Sequence, residues 1–254
     1  MKIAAWNVNS LKVRLAHLLA WLEESGADVV CLQETKLEDA NFPHAELAAV
    51  GFQSVCGGQK TYNGVALVSR YPLEDVQIGN PRFPDAQKRL IAATINGIRV
   101  ISAYFPNGQA VGSDKYAYKL AWIAALNTWL REDLATRREL ALCGDFNIAP
   151  EDRDVHDPVA WAGQILCSDP ERAAFRALLA LGLQDAFRLF PQAEKSFSWW
   201  DYRMASFQKN RGLRIDHILL SSPLANRAAA ARIDASPRKW ERPSDHAPVW
   251  VTLK

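Results

Sequence analysis

The 254-residue chain has no run approaching the ~18 consecutive apolar residues that a membrane-spanning helix needs. Its start, Met1-Lys2-Ile3-Ala4-Ala5-Trp6-Asn7, leaves its apolar stretch too soon for a secretory signal and has no small-residue cleavage site. Cysteine is scarce. The four residues form no C-x-x-C pair, and their separations suit neither a zinc site nor a disulfide framework. Buried or idle thiols in a reducing compartment, and hence a cytoplasmic protein, are expected. Low-complexity segments, Pro/Gly/Ser-rich linkers and repeats of about 20–50 residues are all missing, so residues 1–254 read as one domain. No G-x-G-x-x-G follows the first apolar run and no G-x-x-x-x-G-K-[ST] occurs, which argues against a doubly wound nucleotide-binding sheet. Neither sign of charge dominates. Thirty basic residues against 28 acidic give a net charge of +2, so any nucleic-acid binding must come from local clusters.

What is present is a composition close to the soluble globular average, 49% hydrophobic and 23% charged, in a chain long enough to bury a sizeable core. Short apolar runs at Lys2–Val8, Asp28–Gln33, Gly64–Ser69, Arg89–Ile95, Arg99–Phe105, Glu139–Cys143, Arg214–Ser221 and Pro248–Leu253 read as buried strands. Asn96-Gly97 between two of them is a tight-hairpin signal, which makes that pair antiparallel. Helical spacing predicts helices over Leu11–Ser25, stopped by Gly26, and over Asp114–Leu134. Ser168-Asp169-Pro170-Glu171 has the form of a capping box and opens a third helix, Glu171–Leu181. Many strands with few long helices suggest two packed sheets with helices outside.

Polar residues gather at the ends of the apolar runs, where a rigid scaffold presents reactive groups. Asn7 and Asn9 fall on one side of the first run, as turn or helix-cap residues or as site residues. Glu34 follows the second run directly, either as exposed charge or as a ligand for a hard cation such as Mg²⁺. In Gly144-Asp145-Phe146-Asn147, a carboxylate and an amide face one way. That pair suits holding a water and steadying a phosphoryl oxygen, unless it is a plain Gly-Asp turn. Ser244-Asp245-His246 sets a carboxylate beside an imidazole, and Asp216 offers a second carboxylate able to orient that ring.

Together, in this order, these segments resemble the exonuclease III family of AP endonucleases, within the endonuclease/exonuclease/phosphatase superfamily. The likeness runs from Ile3 to Leu253. It includes Trp6–Leu11, Gln33–Lys36, Tyr104–Gly108, Gly144–Pro150, Phe197–Arg203, Asn210–Asp216 and Ser244–Val249. It implies a four-layer α/β sandwich, two face-to-face mixed β-sheets flanked by helices. It also implies a metal-dependent DNA phosphodiesterase that cuts 5′ to abasic sites and leaves a 3′-hydroxyl, with 3′-phosphatase, 3′-repair diesterase and 3′→5′ exonuclease activity. By the same resemblance, Glu34 is the main Mg²⁺ ligand, and Asn7, Asn9 and Asp245 lie near the metal. Mn²⁺ suits the same oxygen ligands. Asp145 aligns or deprotonates the attacking water, and Asn147 holds the phosphate or that water. His246 donates to a phosphate oxygen and is oriented by Asp216. Tyr104 steadies the leaving oxygen or the phosphate, and Asn107 contacts the backbone beside it.

The partner implied is double-stranded DNA with abasic sites or 3′ ends, held by a protein that is a monomer by default. Arg203, Lys209, Arg211 and Arg214 fall within twelve residues and are expected to form one phosphate-contacting loop. Arg238, Lys239 and Arg242 make a second basic run, either phosphate-contacting or simply a solvated surface. Trp199, Leu213 and Ile215 are expected, by resemblance, to line a pocket for a flipped-out abasic sugar. A core position for Ile215 stays open. The segment Glu151–Ile165 matches the family only loosely, which leaves room for an exonuclease-type paralogue with weak or no abasic incision. Other superfamily enzymes, such as an inositol phosphatase or a sphingomyelinase, share the acidic core but not the blocks around Trp199 and Asn210. A nonenzymatic regulator on this scaffold would carry a degenerate site, and these catalytic positions all stand.

Overall fold

Each of the eight apolar runs becomes a strand, and four further strands join them in a computed structural model that describes Met1–Lys254. The first sheet runs in the order β11 (Ala228–Ile233), β12 (Val249–Leu253), β1 (Lys2–Asn7), β2 (Val29–Gln33), β4 (Val65–Ser69) and β3 (Gln53–Gly57). The second runs β5 (Glu74–Ile78), β6 (Leu90–Ile95), β7 (Ile98–Tyr104), β8 (Leu140–Asp145), β10 (Asp216–Ser221) and β9 (Leu183–Asp185). The pairs β1/β2 and β7/β8 are parallel, and the remaining neighbours are antiparallel.

Burial on both faces explains why the central strands read as continuous apolar runs rather than as alternating ones. Ile3, Ala5, Val29 and Cys31 of the first sheet face Ala93, Val100, Ala141 and Cys143 of the second, in one core of 22 buried residues. The intervening residues Ala4, Trp6, Val30 and Leu32 point outward, under α1 (Leu11–Ser25) and α2 (His44–Ala49). On the other side, α3 (Asp114–Thr136) and α5 (Asp169–Leu179) cover Ala92, Ile101 and Leu142. The helices α4 (Pro158–Trp161) and α6 (Ser222–Ala225) are single turns. The result is the expected four layers, with two mixed sheets face to face.

Local signals are realised in detail. Asn96 and Gly97 take φ of 49° and 79° in the β6–β7 hairpin, where Ile95 pairs with Ile98. The helix α1 ends at Gly26 with φ 63°. Ser168 and Glu171 exchange both capping-box bonds at the start of α5. All four thiols are free. No helix is long and apolar enough to cross a membrane. The two sheets are pinned near one rim, where Gln33 donates to the Ser102 hydroxyl (3.0 Å) and that hydroxyl donates to the Leu32 carbonyl (3.1 Å).

Candidate active site

Strand register brings the sequence-predicted residues together. Tyr104 sits opposite Asp145, and Asp145 opposite Asp216, so one row crosses the second sheet at its rim. In the first sheet Asn7 pairs with Gln33, which places Glu34 one residue beyond the facing rim. The chain then turns sharply. Asn9, Glu34 and Asn147 have φ of 43°, 51° and 51°, a left-handed conformation that non-glycine residues adopt at a cost and that recurs at functional sites.

Asn7, fully buried, joins the two halves. Its amide donates to Glu34 Oε1 (2.8 Å) and to Asp145 Oδ2 (2.9 Å). Its own oxygen accepts from the Asn9 backbone N–H (2.9 Å). Asn147 donates its backbone N–H to Asp145 Oδ1 (2.9 Å) and its side-chain amide to the Phe105 carbonyl (3.1 Å). Asn107 donates to Asn147 Oδ1 (3.0 Å). Asp216 receives His246 Nδ1 on both oxygens (2.9 and 3.1 Å) and the Ser198 hydroxyl (2.6 Å). This leaves His246 Nε2 facing the site, 3.8 Å from Asp145 Oδ2. Asp245 is engaged elsewhere, accepting from Asn9 (2.9 Å) and from the Trp199 indole (3.0 Å).

The electrostatics separate these groups into donors and an acceptor. Burial alone would lower the His246 pKa, but Asp216 and Asp145 raise it to about 10, so the ring is an imidazolium at neutral pH. Asp145 is pushed up to about 7, chiefly by burial and with help from Asp216, against the pull of His246. Burial and the Glu34 and Asp145 carboxylates hold the Tyr104 phenol protonated, well above its usual range. Burial pushes Asp245 up, but His246 and the bonds from Asn9 and Trp199 outweigh it and keep that carboxyl ionised.

The family pattern described as "Endonuclease/Exonuclease/phosphatase family" matches residues 4–246. A curated relative from Haemophilus influenzae, named Exodeoxyribonuclease III, is 38% identical over the whole of both chains. The chain belongs to the endonuclease/exonuclease/phosphatase family. Among solved structures, a Neisseria protein described as the 3′ phosphatase NExo bound to product DNA hairpin is 47% identical. It superposes with a TM-score of 0.98 over 100% of this chain and 99% of that one. An AP endonuclease from Archaeoglobus fulgidus is 38% identical, with a TM-score of 0.96 over 100% and 99% of the two chains. The resemblance and the four-layer fold read from the sequence are thereby borne out.

Members of this family work with a metal, and the donors here fit one. Ligand atoms of Glu34, Asp145 and His246 lie within 4.8 Å of one another. Two of these are hard carboxylate oxygens of the kind Mg²⁺ takes. The third is an imidazole whose Nδ1 is held by Asp216, which leaves Nε2 facing the carboxylates. The Lys36 ammonium pairs with Glu34 Oε2 (2.9 Å) and donates to Asn9 Oδ1 (2.6 Å). Asn7 and Asn9 act here as clamps on carboxylates. Asp245 lies outside the three-residue cluster, held by Asn9 and Trp199.

This family member opens the rim into a cleft of about 1270 Å³, with Glu34, Tyr104 and Asn107 in its wall and Arg203 at its edge. Lys209 and Arg211 are exposed on the same loop as Arg203. Arg214 is not a phosphate contact. It is 1% exposed and locked between Asp154 (2.6 Å) and Asp185 (2.8 Å), because a guanidinium under the rim needs buried counter-charges. Arg238 is likewise buried. It donates to the Ser244 carbonyl and lies against the Trp200, Tyr202 and Phe207 rings, while Lys239 and Arg242 remain exposed. Trp199, Leu213 and Ile215 do pack together. Leu213 and Ile215 are fully covered, so Ile215 is core and Trp199 alone of the three presents surface.

Sequence reasoning missed three cations in the cleft wall: Lys36, Arg89 and Lys115. The signal for Lys36 was its position two residues after Glu34. Arg89 had none, being an ordinary strand-entry residue until the fold lays it over the Tyr104 ring at 4.9 Å.

Proposed function

We propose that the protein hydrolyses phosphodiester bonds of duplex DNA 5′ to abasic sites and at 3′ termini, with Mg²⁺ and as a monomer. One observation carries the reading: a buried carboxylate and a carboxylate-oriented imidazole stand together beside a protonated phenol that, with Glu34, lines a cleft also lined by Lys36, Arg89, Lys115 and Arg203. The scissile phosphate is anionic and water is a poor nucleophile at neutral pH. Asp145, with its affinity for a proton raised to about 7, suits accepting the proton of the attacking water. His246 Nε2 and Asn147 donate to the phosphoryl oxygens, and Tyr104 donates to the phosphate or the leaving oxygen. Glu34 would hold Mg²⁺, which would supply offsetting charge for the phosphoryl group. Arg203, Lys209 and Arg211 hold the duplex through its phosphates. The four free thiols and the absence of a bilayer-length helix support action in the cytoplasm, by residues 1–254 acting as one domain.

A second reading, end processing with little abasic incision, is favoured by two observations. The relative solved as a 3′ phosphatase shares 47% identity, against 38% for the solved AP endonuclease. Leu213 and Ile215, expected to line a sugar pocket, are buried, with 0% and 2% of their surface exposed. A side-by-side assay separates the two. One labelled duplex carries a central abasic analogue, and the other is intact with a recessed 3′ end. Each is run with Mg²⁺, with EDTA and with the Asp145→Asn protein. Metal-dependent incision at the abasic site, lost in the variant, is the expected result. Resection of the end without incision selects the second reading and points to Glu151–Ile165. No cleavage of either duplex overturns both.

A further inference from the structure

Beneath the rim lies an ion pair that the roles above leave unused. Lys119 projects from α3 and Glu171 from the first turn of α5, and neither side chain has any exposed surface. Their charges meet directly. An ammonium has three N–H donors. One goes to Glu171, and the other two go to the backbone carbonyls of Asn147 (2.7 Å) and Asn107 (3.2 Å). Glu171 also accepts from the Leu166 N–H (3.1 Å), the Ser168 N–H (3.1 Å) and the Ser168 hydroxyl (2.6 Å). The intervening loop is drawn down onto the lysine. A Cβ at Gly108 would stand 3.1 Å from Lys119 Cδ.

We infer that Lys119 is a positioning residue. It fixes the peptide planes of Asn107 and Asn147 and so aims the two side-chain amides that are joined at 3.0 Å. Stability alone is a poor explanation, because a buried ion pair can often be replaced by well-packed apolar residues of similar volume at no loss. The need for a donor is local. Asn147 lies just beyond the end of β8 in a left-handed conformation, where the strand ladder supplies no N–H for its carbonyl. With the carbonyl held, the amide arrives aligned, and misplacement by about 1 Å is the kind of error that costs about 10²-fold in rate. The inference rests on the phosphate-holding roles proposed for Asn107 and Asn147.

Lys119→Met alone strands a buried carboxylate and is expected to unfold or lose much stability. The informative protein is Lys119→Met/Glu171→Gln, which removes both charges and keeps an acceptor for Ser168. Expected are a native circular dichroism spectrum, a Tm lowered by about 2–10 °C for the unpaired carbonyls and a Kd for recessed duplex in EDTA within about two-fold. The single-turnover rate under saturating DNA and Mg²⁺ is expected to fall about 10–100-fold. A wild-type rate in the folded double variant overturns the inference, as does a rate loss matched by lost DNA affinity. Should that variant not fold, Lys119→Gln/Glu171→Gln, with one neutral donor restored, is expected to lose less than about 10-fold in rate at unchanged Kd, and a rate loss matched by lost DNA affinity there overturns the inference. Asn147→Ala separates the two layers: an unchanged rate there sinks the phosphate-holding role itself, independently of what orients it.

Discussion

Two imidazoles near the rim titrate in opposite directions, and their neighbours explain why. His246 has a carboxylate on Nδ1 and is raised to about 10. His217 follows Asp216 in the chain but is lowered to about 3, by burial and by the Arg214 guanidinium 3.1 Å from Nδ1. That guanidinium can only donate, so Nδ1 accepts and Nε2 donates to the Ile148 carbonyl (2.9 Å). His217 is thus a neutral packing residue against Phe146 and Phe175. Its folded pKa lies below the unfolded value of 6.5, so below pH 6.5 the unfolded chain takes up a proton that the native one refuses. Stability attributable to this residue falls as pH drops from about 6.5 towards 3, by at most about 1.4 kcal/mol per pH unit. Urea titrations from pH 7 to 4.5 should show a shallower loss in His217→Gln than in wild type, and equal slopes would refute the assignment. Asp145 gives the complementary case. Its carboxyl is raised by burial, so Asp145→Asn removes an unfavourable charge. That variant is expected to lose about 10²–10⁴ in rate with no fall in Tm, read by single-turnover cleavage and a thermal melt.

The same contrast holds for whole elements. The eight strands legible in the sequence are the interior ones of the two sheets, and the four it hid, β3, β5, β9 and β11, are the four edges. An interior strand here is covered on both faces and needs an unbroken apolar run. The edge strand β5, Glu-Asp-Val-Gln-Ile, is largely exposed and therefore reads as loop. The three long helices were legible because their stripes and caps are local in sequence. The fates of Arg214 and Arg238 were not, because Asp154 lies 60 residues before Arg214 and three aromatic rings from another loop enclose Arg238. Charge runs in sequence say how many cations there are, and only the fold says which ones are already spoken for. The site's acidic and histidine residues were legible because they stand at strand ends, whereas Lys119 sits mid-helix and reaches the site only through two carbonyls. Gly144 shows how closely the two parallel strands of the second sheet meet. It has φ 148°, and a Cβ there would lie 1.9 Å from the Ala103 carbonyl oxygen. Gly144→Ala is expected to part β7 from β8, lower stability by about 1–3 kcal/mol and move Tyr104 off Asp145. Denaturation and cleavage assays read the two effects, and a variant unchanged in both would remove the close approach as a constraint.

At the scale of the molecule, affinity for DNA should be carried by exposed charge around the cleft rather than by net charge, which is only +2. Lys209 and Arg211 are exposed, whereas Arg214 is committed to Asp154 and Asp185. Reversing Lys209 and Arg211 together is expected to flatten the slope of log K against log salt by about 2, near 0.9 per lost phosphate contact. Binding isotherms at several salt concentrations in EDTA test this, and an unchanged slope would place the DNA elsewhere.

The first sheet seats β1 between β2 and β12, so strands from opposite ends of the chain lie side by side, with the Met1 ammonium on the Leu253 carbonyl. The site is stitched across that seam. The Ser244 hydroxyl donates to the Asn7 carbonyl (2.7 Å), and the Trp6 indole donates to the carbonyl of His246 (3.2 Å). During synthesis, at about 5–20 residues per second, Asn7, Glu34 and Asp145 therefore emerge long before their imidazolium donor. Until the last strand clears the ribosome, the polypeptide has most of a nuclease's chemistry and no assembled means of using it. A growing chain beside nucleic acid therefore has an unfinished site until Ser244 and His246 close on the first strand.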